Sequence, residues 1–242
     1  TCIYILQNNY KKMKLDFLKK PEGIQGTSIV LSIYTTLVFH VPAFKAVLEN
    51  IESGWNGALI FTSVAVLMLV VNFFFYYLLL WLGRTVGKAI IAFTFIADAI
   101  SLYFINTYEV LITDSMMGNV FNTRYSEASG FFSWVAILYV LFLGIPPCIY
   151  LFVKKTTFST FKKFLANIGV SLLIILLVVI ANMRNTLWID NNSTQLGSLL
   201  MPWSYTVNTF RYYGKVKKRN QKEILLPDAQ FTNDSKDVVV LV

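Results

Sequence analysis

Residues 103–130, YFINTYEVLITDSMMGNVFNTRYSEASG, interrupt an otherwise apolar chain. The hydrophobic runs on either side are long enough to cross a bilayer, which takes roughly 17–25 helical residues. Within the stretch, charged, amide, hydroxyl and aromatic side chains alternate, and Asn119, Thr123 and Glu127 recur at every fourth position. A polar insert between two membrane spans is either a connecting loop or the place where the protein acts on something.

Composition supports the membrane reading. Of the 242 residues, 56% are hydrophobic and only 14% charged, whereas soluble domains carry roughly 25% charged residues. So apolar a chain cannot hide its surface in one water-soluble core. The net charge of +8 comes from basic residues flanking the apolar runs, where they orient spans and meet lipid headgroups. Aromatic residues among those cations fit membrane anchoring, so the bilayer and not nucleic acid is the expected partner. Two cysteines (Cys2 and Cys148), one histidine (His40) and no Cys/His/Asp cluster leave no zinc-like ligand set within this chain. There is also no phosphate-cradling glycine loop, no Gly-x-Ser-x-Gly and no His-Glu-x-x-His.

Working outward, hydropathy predicts five spans at about 24–44, 56–83, 89–105, 131–153 and 164–183. His40 reads as a packed or interfacial residue, and Pro42 as a kink or an end of the first span. Pro146 and Pro147 remove two backbone donors from the fourth span, so a kink is expected and neighbouring helices must cover the freed carbonyls. Asp98 lies inside the third span, where an ionisable residue is costly and is by default a functional candidate. The other reading is that it faces the bundle and pairs with Asn72, Lys88 or a hydroxyl.

Counting Lys and Arg near the span ends places residues 1–23, the 84–88 turn and the 154–163 loop in the cytoplasm. The 45–55 connection, the 106–130 insert and residues 184–242 then lie outside. The expected fold is therefore an all-α bundle of five transmembrane helices, with an external polar helical insert after the third. Residues 184–200 read as polar and irregular. Residues 202–219, rich in Trp, Tyr, Lys and Arg, suit an interfacial helix after the fifth span, with a solvated linker as the alternative. The whole 184–236 segment is expected to be a periplasmic linker. Residues 237–242, DVVVLV, look like the first strand of a buried parallel sheet.

On a helix, residues four apart are neighbours, so Asn119, Thr123 and Glu127 share a face. An amide, a hydroxyl and a carboxylate together suit an ethanolamine ammonium and adjacent phosphate or glycerol oxygens. Glu127 is the counter-charge, Asn119 and Thr123 bond to oxygens, and Arg124 faces phosphate. A solvated face of a connecting helix has the same spacing, and Gly118 and Gly130 interrupt the helix.

The order of motifs resembles the membrane domain of the lipid A phosphoethanolamine transferases, bacterial inner-membrane enzymes whose relatives confer polymyxin resistance. The matching residues are Tyr103-Phe104, Asn106-Thr107-Tyr108, Met116-Met117 and then Asn119, Thr123 and Glu127. Further along come Gly144-Ile-Pro-Pro147, Phe152-Val-Lys154, Met201-Pro202 and Val238 to Val242. Asn106 stands where the family usually has Asp, Glu109 where Gly is common, and Asp98 in a span that is usually neutral.

The resemblance implies that Asn119, Thr123 and Glu127 line a substrate pocket. It implies phosphatidylethanolamine as donor and lipid A as acceptor, with zinc and a Thr or Ser nucleophile in a soluble domain after Val242. The N-terminus would be cytoplasmic and the C-terminus periplasmic. This chain by itself is then expected to bind no zinc and to be inactive. Two alternatives stay open: another envelope glycan or lipid as acceptor, or a small transporter or lipid-binding protein that uses Asp98.

Overall fold

The computed structural model describes residues 22–124 and 133–219. A two-residue strand, β1 (Glu22–Gly23), leads into α1 (Ile24–Val38) and α2 (Val41–Asn50). Then follow α3 (Trp55–Leu82), α4 (Arg84–Tyr108) and the insert helix α5 (Asp114–Asn122). After it come α6 (Trp134–Val153), β2 (Thr156–Thr157), α7 (Phe161–Ala181), α8 (Thr186–Leu199) and α9 (Trp203–Arg219). By length and apolarity α3, α4, α6 and α7 each qualify as spans, and α1 with α2 makes a fifth if that bent pair is counted as one. The protein is a multi-pass membrane protein of the expected all-α class.

The first span departs from the single run expected at 24–44: α1 and α2 meet at 55°. Pro42 sits in the first turn of α2, where its missing N–H is no loss. At the bend Phe39 and His40 are fully buried. The turn expected at 84–88 shrinks to Gly83, extended at φ −172°, so Lys88 lies inside α4. Gly87 makes this possible, because a Cβ there would fall 2.1 Å from the Leu79 carbonyl oxygen of α3. A third difference concerns residues 184–200. They are a short 3₁₀ turn followed by α8, not irregular chain, and the turn is held by Asn185 Nδ2 donating to Asn182 Oδ1 at 3.1 Å. Their polarity reflects exposure at a helix surface and says little about backbone.

The prolines of α6 free a backbone carbonyl as expected. A π-turn at Val140–Gly144 precedes Pro146 and Pro147. Pro147 cannot donate to the Leu143 carbonyl four residues back, and Tyr34 of α1 supplies the donor instead, its OH lying 2.8 Å from Leu143 O. We expect Tyr34→Phe to lower the stability of the detergent-solubilised protein by about 1 kcal/mol. Thermal unfolding would show this; an unchanged midpoint would mean the carbonyl finds another partner.

Tyr34, Phe39 and Phe95 pack edge-on or tilted, with Tyr76 stacked on Phe95 at 5.7 Å between centroids. This aromatic centre ties α1, α3 and α4 together. At one end of the bundle β1 pairs in parallel with β2. There Lys154 reaches Glu22 Oε2 at 3.2 Å, Tyr150 donates to the same oxygen at 3.0 Å, and Lys88 Nζ donates to the Lys154 carbonyl at 2.8 Å. Residues 22–23, assigned by sequence to a cytoplasmic segment, thus form part of a clasp that closes this basic end.

Candidate functional site

The insert lies at the other end. Tyr103 of α4 and Ser133, the N-cap of α6, bracket it with a 2.9 Å hydroxyl–hydroxyl bond. Tyr103 also meets Phe104, Tyr108 and Tyr139 edge-on, at 5.3–5.8 Å between centroids. Asn106 donates its side-chain N–H to Tyr139 OH at 3.1 Å, a direction an aspartate could only reverse. α4 ends at Glu109, whose backbone is left-handed at φ +53°. Non-glycine residues are disfavoured there by Cβ contacts, which explains why glycine suits this position. We expect Glu109→Gly to stabilise the protein by about 1 kcal/mol and to leave function unchanged; a lower unfolding midpoint would contradict this.

Thr113 begins α5 by accepting a hydrogen bond from Met116 N at 3.3 Å, with Asp114 in the first turn where a negative charge suits the helix dipole. A nine-residue helix is marginal by itself in water, so packing must hold it. The partner is α9. Its residues 205, 208, 212 and 215 fall on one face, and three of them grip the insert. Asn208 Nδ2 donates to Ile112 O at 2.6 Å, and Asn122 Nδ2 donates to Tyr212 OH at 2.8 Å. Lys215 pairs with Asp114. Phe121 stacks on Tyr212 at 5.8 Å. Gly118 is buried, and a Cβ on it would lie 2.8 Å from Tyr212 Cε2. Gly118 therefore does not break the helix; it lets the tyrosine ring approach.

The hydrogen bond from Lys215 holds the Asp114 carboxyl below its usual range. A depressed acid contributes stability above its unfolded pKa and loses it as pH falls through the folded one, so this surface contact weakens on acidification.

The expected face of three side chains is only partly realised. α5 ends at Asn122, and Thr123 is extended at φ −68° and ψ 130°, so Thr123 has left the helix. Its hydroxyl nevertheless donates to the Asn119 carbonyl at 2.5 Å and its N–H to the same oxygen at 2.8 Å. Asn119 and Thr123 are thus neighbours, with Asn119 exposed and Thr123 half-buried. Arg124 is exposed. Glu127 lies outside the described residues.

Sequence reading did not foresee how α9 is fastened at its start. His40 Nε2 bonds to the Met201 carbonyl at 2.7 Å, Trp203 Nε1 donates to Asn72 Oδ1 at 3.2 Å, and Tyr205 OH donates to Asp98 Oδ1 at 3.0 Å. A carbonyl only accepts, so His40 carries its proton on Nε2. Burial is the main reason the Tyr205 phenol lies far above its ordinary range. Of the two readings open for Asp98, the structure shows it facing the bundle and meeting a hydroxyl. The clue was present: a histidine, an amide and a carboxylate inside apolar spans each need a partner.

The arrangement can be compared with known proteins. The family description phosphoethanolamine transferase EptA/EptB matches residues 67–216, from within α3 to within α9, and so takes in the whole insert. This chain belongs to that family. It is 31% identical over 203 residues to phosphoethanolamine transferase EptA of Helicobacter pylori, covering 81% of this chain and 37% of the relative. With EptA of Escherichia coli K12 it is 26% identical over 213 residues, covering 84% and 38%. The solved structure of an integral membrane lipooligosaccharide phosphoethanolamine transferase A from Neisseria meningitidis superposes with a TM-score of 0.71 at 20% identity, over 83% of this chain and 38% of that one. At such identity the likeness establishes the fold. The chain spans roughly two-fifths of the length of these relatives and corresponds to the membrane-anchoring helical part of the family. Among the described residues no three His, Cys, Asp or Glu side chains converge as a metal site.

Proposed function

We propose that this chain positions a lipid substrate in a phosphoethanolamine transferase that moves phosphoethanolamine from phosphatidylethanolamine to lipid A. The observation that carries the reading is the docked insert. α5 is clamped on α9 at the bundle end opposite the basic clasp, with Asn119 open to the outside and Thr123 beside it. The Asn119 amide N–H suits a phosphate oxygen. The Thr123 hydroxyl hydrogen is already given to Asn119 O, so Thr123 offers lone pairs to the ammonium instead of a donor to phosphate. Glu127 supplies the opposite charge. Holding the headgroup in one place raises the effective concentration of the reacting phosphoryl group.

The basic end carries Lys88, Lys154, Lys155, Lys162 and Lys163, which suits the cytoplasmic side of the bacterial inner membrane. The insert and α9 would then face the periplasm, along with the zinc-bearing soluble domain that the family resemblance implies. Residues 22–181 would form the anchor and residues 184–219 the link to that domain. The test is mass spectrometry of lipid A from cells expressing the full-length gene. A phosphoethanolamine adduct is expected. Unmodified lipid A together with a modified envelope glycan would refute the acceptor, and no transfer to any acceptor would refute the reading.

A further inference from the structure

We infer that Asp98 is a positioning residue for the headgroup site: through Tyr205 it sets the rotation of α9, and with it the placement of the insert. This rests on the headgroup reading of α5 proposed above. Asp98 sits well inside α4, fully buried, with one carboxylate oxygen on Tyr205 and the other without a partner among the described residues. An acid in a span is costly and an apolar residue there would pack without that cost, so a requirement for its acceptor oxygen explains why it is there. Tyr205 OH also lies 3.5 Å from the Thr94 carbonyl one turn earlier on α4, which fixes the tyrosine against two levels of the span.

The mechanical link is α9 itself. Tyr205 shares a face with Asn208, Tyr212 and Lys215, the residues that hold Ile112, Asn122 and Asp114. From Tyr205 to Tyr212 the helix rises about 10 Å, and each residue turns about 100°. A one-residue rotational slip would therefore carry Tyr212 off Gly118 and free the insert. A helix at headgroup level does not resist such a slip well, because its polar side chains meet headgroups over a broad arc. His40 and Asn72 hold the approach to α9 at Met201 and Trp203. Asp98 is the contact that engages the insert-facing side of the helix.

The test uses full-length protein carrying Asp98→Leu, Asp98→Asn or Tyr205→Phe, read two ways. First, nitroxide labels at Trp55→Cys and Lys217→Cys, both exposed, in a Cys2→Ser, Cys148→Ala background report the distance from bundle to α9. Second, steady-state transfer from phosphatidylethanolamine in mixed micelles gives kcat and KM. Asp98→Leu and Tyr205→Phe should broaden the distance distribution and raise KM about fivefold or more with little change in kcat. Asp98→Asn keeps an acceptor oxygen and should restore both. An unbroadened distribution in Tyr205→Phe overturns the proposal even if Asp98→Leu fails to insert. So does an Asp98→Asn protein that behaves like Asp98→Leu. Broadening with unchanged KM refutes the link to the headgroup site. If the labels move as expected but the unsubstituted protein transfers nothing, the positioning of α9 is supported and the headgroup reading is what fails.

Discussion

Glu127→Ala in the full-length protein is expected to lower phosphoethanolamine transfer by about 10- to 100-fold while expression and membrane insertion stay normal. A charge-assisted hydrogen bond to an ammonium contributes roughly 1.5–3 kcal/mol, and each 1.4 kcal/mol corresponds to about tenfold. The insert contains three acidic residues, Glu109, Asp114 and Glu127. Asp114 is committed to Lys215, and Glu109 is the left-handed cap of α4. Glu127 is the acid proposed to meet a headgroup ammonium. Glu127→Gln separates charge from shape: it should recover little if pairing with the ammonium is its role. Near-normal transfer by Glu127→Ala would remove the headgroup role, and a large loss in Glu109→Gly would move that role to the end of α4.

The second large effect is expected at Gly118. Gly118→Leu places a side chain where the Tyr212 ring stands 2.8 Å from the virtual Cβ. The ring is part of a set that also includes Asn122, Phe121 and Tyr213, so it cannot move without releasing the end of α5. Overpacking of this kind costs about 1–3 kcal/mol, and a helix of nine residues is marginal without its packing. The expected result is an undocked insert, seen as faster proteolysis within it, and a transfer rate reduced by about tenfold or more. Gly118→Ala with Tyr212→Leu should be less damaging than the sum of the two single changes, because residues in contact do not act additively. Full protection of Gly118→Leu against protease would show that the Tyr212 contact does not hold the insert.

Both expectations depend on interactions of different legibility. The apolar runs, the prolines of α6 and the aromatic-basic segment that becomes α9 were plain in the chain, because hydropathy, missing N–H donors and composition are local properties. Thr113 and Asp114 cap the start of α5 by local chemistry too. The end of that helix was not so plain. Spacing by fours at Asn119 and Thr123 is compatible with a helix that continues, yet Thr123 turns its hydroxyl back on the Asn119 carbonyl and the chain leaves in an extended conformation. Ser/Thr side chains compete with the backbone in this way, and spacing cannot show which outcome prevails.

By itself the sequence determined that the chain crosses a membrane several times, which end is basic, and which polar stretch to suspect. Periodicity and charge suffice for that, since a bilayer constrains every residue according to depth alone. Only the tertiary structure decided what the buried polar residues are for. His40, Asn72 and Asp98 find partners 161, 131 and 107 residues away, and no local pattern encodes such a distance. Packing of α1, α3 and α4 around a shared aromatic centre brings the three to one place, where they hold α9. The same packing explains Gly118, whose lack of a side chain matters only once Tyr212 is beside it.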